Sequence, residues 1–125
     1  MKFARYTFLI AGIYGLVVLL PNYFAEGSVG RDYPPIITHS EFFYGFVGIA
    51  VVFQIVFLII STDPVKYRLI IIPAIMEKLS FGIPALILQS QGRMPLPWFI
   101  GGLIDLLLCT LFVISFFKVP RTNTD

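Results

Sequence analysis

Four runs of about 20 apolar residues, separated by short polar breaks, limit this chain more than any other feature of its sequence. They fall at residues 6–24, 42–61, 69–88 and 98–117. A helix rising about 1.5 Å per residue needs roughly 20 apolar residues to cross a hydrocarbon core ~30 Å thick. Runs of that length predict an all-α membrane protein with four transmembrane helices in an antiparallel, up-down bundle. The spans use most of the 125 residues, which leaves room for a single four-helix domain and little else. Composition agrees, since 13% of residues are charged against about a quarter in soluble domains.

The first run follows Lys2 and Arg5 and could also be a secretory leader. It ends Asn22-Tyr23-Phe24-Ala25, with bulky Tyr23 where a cleavage site needs a small side chain, so an uncleaved helix is expected. The second run opens at Glu41 and stops at Ser61-Thr62-Asp63-Pro64, where proline and helix-averse side chains end a helix. The third holds Pro73, Gly82 and Pro84, predicting one or two kinks of the kind that neighbouring helices tolerate in membranes. Trp98 opens the fourth, a position suited to an interfacial aromatic belt. Residues 25–40, with Gly27, Gly30, Pro34 and Pro35, are too polar and broken to form a span.

Orientation follows from the basic residues. Lys2, Arg5, Lys66, Arg68, Lys118 and Arg121 fall on one side of the predicted bundle, and Arg31 and Arg93 on the other. Six against two predicts that both termini are cytoplasmic. The expected location is a cell membrane, the bacterial inner membrane foremost. The same bias argues against dual-topology small multidrug exporters, whose first helix also carries an acid that residues 6–24 lack.

Several function classes drop out. One cysteine, Cys109, excludes a Cys-x-x-Cys redox pair, and one histidine, His39, excludes bis-histidine haem. Basic residues stand in ones and twos beside apolar runs, which gives no nucleic-acid surface. No nucleophile triad, phosphate loop or metal cluster is visible, so no cofactor is expected and the chain reads as non-enzymatic.

Charge inside the spans is the chemical signal. A charged side chain at a helix centre costs about 2.5 to 3.5 kcal/mol on insertion scales, so each marks a candidate site. Glu77 and Lys78 lie near the middle of the third span and Asp105 in the fourth. Glu77 falls about 12 Å in from Leu69 and Asp105 about 10 Å in from Trp98. Gln54 in the second span and Tyr14 in the first reach a similar level, giving one polar layer of ligand or proton-relay candidates. Consecutive helical positions point about 100° apart, so Glu77 and Lys78 are not expected to pair along their own helix. Lys78 then needs Asp105, the only other acid inside a span, and Glu77 turns toward Tyr14, Gln54 or a lumen. A purely structural ion pair that sets helix register competes with any functional role.

His39 and Glu41, spaced i and i+2 at the outer mouth of the second helix, are further candidates, although two ligands are too few for a metal. Asp63-Pro64 followed by Lys66, Tyr67 and Arg68 forms a basic, aromatic edge suited to anionic head groups. Gly101, Asp105 and Cys109 form a small-residue seam, and Gly12 with Gly15 and Gly45 with Gly48 offer similar close-contact faces.

With Tyr44-Gly45-Phe46-Val47-Gly48 opening the second helix and Gly102-Leu103-Ile104-Asp105-Leu106-Leu107 in the fourth, the layout resembles the DoxX-like group of small bacterial four-helix membrane proteins. That resemblance implies a compact four-helix bundle and, through some members, accessory subunits of membrane oxidoreductases working near quinone. It transfers no catalytic residue. The expected function is therefore a non-enzymatic accessory subunit or a bundle binding a small apolar lipid or quinone. Expected partners are the bilayer, that ligand, and a second copy or a larger membrane complex. Two alternatives use the same charges: a proton-coupled transporter acting as a dimer, and an isomerase-like enzyme with Glu77 and Asp105 as acid and base.

Overall fold

The computed structural model describes residues 2–122 and is helical, with no strand among them. Five α-helices follow in order: α1 Lys2–Leu19, α2 Glu26–Asp32, α3 Ser40–Thr62, α4 Ile71–Ser90 and α5 Leu96–Lys118. Short 3₁₀ turns at Leu20–Phe24 and Arg68–Ile70 extend α1 and lead into α4. Four helical segments, Lys2–Phe24, Ser40–Thr62, Arg68–Ser90 and Leu96–Lys118, are long and apolar enough to cross a membrane. Each reaches a few residues beyond the apolar run that marks it in the sequence. Ile10, Val17, Ile49, Met76 and Leu107 remain more than half exposed, an outward apolar surface compatible with helices that cross a membrane.

Local chemistry sets the helix ends. α3 stops before Pro64, whose ring disfavours helical geometry at the preceding residue, and Asp63 is extended at φ −157°, ψ 82°. The Asp63 carboxylate then accepts a bond from the Lys66 amide at 3.1 Å, closing the turn. α4 is capped by Gly92, two residues past its end, whose φ of +67° is a left-handed conformation that glycine adopts without strain. Arg93 N–H reaches back to the Leu88 carbonyl at 2.9 Å and Gly92 N–H to Gln89 at 3.0 Å, the paired bonds of a Schellman cap. Pro97 sits in the first turn of α5, where its missing N–H has no partner to lose.

Two expectations change here. Residues 25–40 are no span, as expected, but they contain the two-turn helix α2, tied to α3 by a hydrogen bond from Ser40 Oγ to the Glu26 carboxylate. Pro73 falls in the first turn of α4, where an N–H is dispensable, so Pro84 is the one interior proline of that helix.

Packing joins the helices in two tight pairs, α1 with α3 and α4 with α5, and α1 also meets α5. Small residues weld each pair. A Cβ added to Gly12 would lie 2.7 Å from Leu58, and one on Gly15 would overlap the Gln54 carboxamide. On the other pair, a Cβ on Gly82 would lie 2.6 Å from Leu106 and one on Gly102 2.5 Å from the Ala85 Cβ. The seam expected through Gly101 is displaced by one residue, because Gly101 has open space and Gly102 makes the contact. Gly45 is likewise open, whereas a Cβ on Gly48 would sit 3.3 Å from the Tyr23 hydroxyl.

One half of the bundle is filled with side chains. Phe8 stacks on Phe112 at 4.2 Å between ring centroids, and Phe57 meets Phe112 edge-on at 5.0 Å. Ala11, Ile60, Ile71, Ala74 and Leu108 complete this core. Arg68 is buried beside it. Its Nε donates to the Val119 carbonyl at 3.1 Å, and its guanidinium lies 3.9 Å from the centre of the Phe116 ring. The sequence assigns Arg68 to a head-group edge, but it ties the start of α4 to the end of α5. Lys66 remains exposed, over Tyr67 at 5.3 Å.

Candidate functional site

The other half of the bundle holds a cavity. It has a volume of about 370 Å³ and opens between the helix pairs, lined by α1, α3, α4 and α5 and capped by α2. Its mouth is formed by Asn22, Val29, Tyr33, Pro97 and Trp98, and its walls by Phe46, Phe81, Val18 and Leu19. Its floor holds Tyr14, Gln54, Glu77, Lys78 and Asp105, the five residues that the sequence places in one polar layer. This floor separates the cavity from the phenylalanine core, since Lys78 Nζ lies 5.1 Å above the centre of the Phe57 ring.

Lys78 is the hub. Its Nζ donates to Asp105 Oδ1 at 3.1 Å, the partner that the sequence argument selects. It also lies 3.6 Å from Glu77 Oε2, contrary to the expectation that sequence neighbours on a helix cannot meet. Helical spacing separates their Cβ atoms, but the four-carbon lysine stem is long enough to fold back between its neighbour and α5. Lys78 is 4% exposed, against 14% for Glu77 and 18% for Asp105. All three line the cavity, and the carboxylates are the more exposed.

Gln54 is held from the opposite pair. It is 1% exposed, and its Nε2 donates to the Ala50 carbonyl one turn back at 2.8 Å. That bond identifies the nitrogen and leaves the carbonyl oxygen against Gly15. A side chain at position 15 would occupy the same space, so glycine there makes room for the amide. Gln54 Oε1 is buried without a hydrogen-bond partner, and Glu77 Oε2 has only the Lys78 ammonium, at 3.6 Å. A buried acceptor left unpaired costs about 1 to 3 kcal/mol, so the Gln54 carbonyl is an unmet demand for a donor, beside two carboxylates that share one cation.

The remaining candidates lie elsewhere. His39 Nδ1 is 3.4 Å from Glu41 Oε1, and both side chains are about two-thirds exposed; neither lines the cavity. No group of three or more His, Cys, Asp or Glu side chains converges on a metal position among the described residues. Cys109 is buried, with its thiol 3.9 Å from the Ile75 carbonyl.

Sequence reasoning finds the floor and misses the mouth. Val29, Tyr33 and Asn22 carry no charge and sit in or beside a segment that looks like a connection. The signal available was length, because a 16-residue connection in so short a chain is long enough to suggest a binding loop. No protein family, no curated protein and no solved structure matches this chain.

Proposed function

We propose that this chain is a multi-pass membrane protein of four antiparallel spanning helices, both termini cytoplasmic, that binds one small amphipathic molecule inside its bundle. The bound molecule enters past Trp98 and Tyr33 and rests its polar end on Glu77, Asp105 and Gln54. The protein performs no chemistry on it and serves as a carrier or an accessory subunit that presents it. A bacterial inner membrane suits the charge bias of the connections, which sets the mouth on the outer side.

The observation that carries this reading is a buried amide oxygen with no donor, Gln54 Oε1, beside two carboxylates that share one ammonium, all lining a cavity walled by apolar and aromatic side chains. Few polar groups converging in an otherwise apolar pocket of a few hundred Å³ is the usual form of a small-molecule site. A purely structural ion pair needs neither the cavity above it nor the unpaired amide oxygen beside it. Apolar walls also favour a ligand drawn from the bilayer over a water-soluble one.

Native mass spectrometry of the chain released from lipid nanodiscs tests this. The wild type is expected to carry a retained molecule of defined mass. Ala50→Phe, which fills the cavity from α3, is expected to lose it while keeping the wild-type melting temperature to within a few degrees. A bare wild-type chain, or equal retention by both proteins, contradicts the reading.

A further inference from the structure

Resting on the reading of this cavity as a ligand site, we infer that its occupant is a lipophilic amine bound as the ammonium ion. Three independent features of the floor and walls specify that chemistry.

Charge comes first. The charged residues lining the cavity are Glu77, Lys78 and Asp105, two acids against one base. The base is already committed, since Lys78 Nζ contacts Asp105 Oδ1 at 3.1 Å, Glu77 Oε2 at 3.6 Å and the face of Phe57 at 5.1 Å. At 4% it is the least exposed of the three, while the two carboxylates are partly exposed. A carboxylate or phosphate head would meet a negative surface at low dielectric and be repelled. A cation offsets the second acid.

Hydrogen-bond polarity is the second feature. The buried floor atoms short of a hydrogen bond, Gln54 Oε1 with no partner and Glu77 Oε2 with only the Lys78 ammonium at 3.6 Å, are acceptors. A head group with only acceptors, such as a quinone carbonyl, leaves them unsatisfied. An ammonium brings several N–H donors in one compact group, and bonds from a charged donor are stronger than neutral ones.

The third feature is the wall. Tyr33, Phe46, Phe81 and Trp98 line the space above the floor, and Tyr14 stands at the floor itself. Aromatic faces attract cations, by up to about 2 kcal/mol each once water is removed, and they accept the alkyl or aryl remainder of the ligand equally well.

Trp98 is the chain's single tryptophan and stands at the mouth, so its emission reports occupancy. Protein in nanodiscs of neutral lipid is titrated with decylamine, decanol and decanoate at pH 7. Decylamine is expected to give a saturable change at concentrations at least tenfold below decanol, and decanoate no saturable change. Glu77→Gln keeps the Lys78 to Asp105 pair and removes the excess charge. It is expected to weaken decylamine about tenfold and leave decanol unchanged. Gln54→Leu, which removes the neutral acceptor instead, is expected to weaken both. Equal affinity for decylamine and decanol, or an unaltered decylamine affinity in Glu77→Gln, overturns the amine assignment and leaves the ligand cavity standing. No saturable response to any of the three overturns both.

Discussion

Lys78 is a charged residue buried in the middle of the bundle, 4% exposed, and its contacts show how its charge is met. It is buried between two carboxylates and an aromatic face, so removing it leaves Glu77 and Asp105 facing each other without a cation. Breaking a buried pair from one side costs about 3 to 5 kcal/mol, mostly from the stranded partner. Lys78→Met is therefore expected to destabilise the protein by about 3 kcal/mol. Adding Asp105→Asn to that variant is expected to recover at least half, as measured by thermal unfolding in detergent. Equal stability of Lys78→Met and wild type contradicts the hub assignment. The Lys78 to Asp105 pairing was legible because two charges in an apolar run have few places to go. The Lys78 to Glu77 approach was not, because helical spacing fixes Cβ directions and says nothing of how far a flexible stem folds back. Arg68 shows the same limit: its position beside a turn reads as surface, and only the packing of the α5 end explains its burial.

Elements pair through glycine, and the register of that contact decides which glycine matters. Gly101 and Gly102 are adjacent on α5, yet only Gly102 faces Ala85 closely enough to clash with an added methyl group, at 2.5 Å. Gly102→Ala is expected to cost about 1 to 3 kcal/mol through overpacking. Gly101→Ala, in open space, is expected to be neutral or slightly stabilising, because alanine is the better helix residue. Thermal unfolding of the two single variants side by side checks the contrast, and a reversed order would place the α4 and α5 contact on the wrong face. Sequence located the spans to within a few residues, since apolar length is a strong signal. It could not set helix rotation to within one residue, because small residues occur on both faces of α5. It also missed α2, whose sequence Glu-Gly-Ser-Val-Gly-Arg-Asp has weak intrinsic helical preference and is held by the Ser40 contact to α3.

At the scale of the whole molecule, one half of the bundle is a phenylalanine core and the other holds a cavity of about 370 Å³ over a charged floor. That division follows from the two helix pairs. Each pair is welded along its length by glycines, and the pairs meet closely through α1 and α5, while α3 and α4 touch little. The proposed orientation puts Arg93 outside and Lys66 inside. In a Cys109→Ser background, Arg93→Cys is expected to react with a membrane-impermeant maleimide added to intact cells, and Lys66→Cys only after the cells are broken. The opposite pattern contradicts that topology. The proposed function requires the space between the pairs to be an open cavity and not a packed interior. Ala50 lines that space, and Ala74 lies in the core below the floor. The most direct measurement is the rate at which N-ethylmaleimide modifies Ala50→Cys and Ala74→Cys in nanodiscs, again without Cys109. Modification at position 50 at least tenfold faster than at position 74, and slowed by a bound occupant, is the result expected; equal, slow modification at both positions would contradict the cavity.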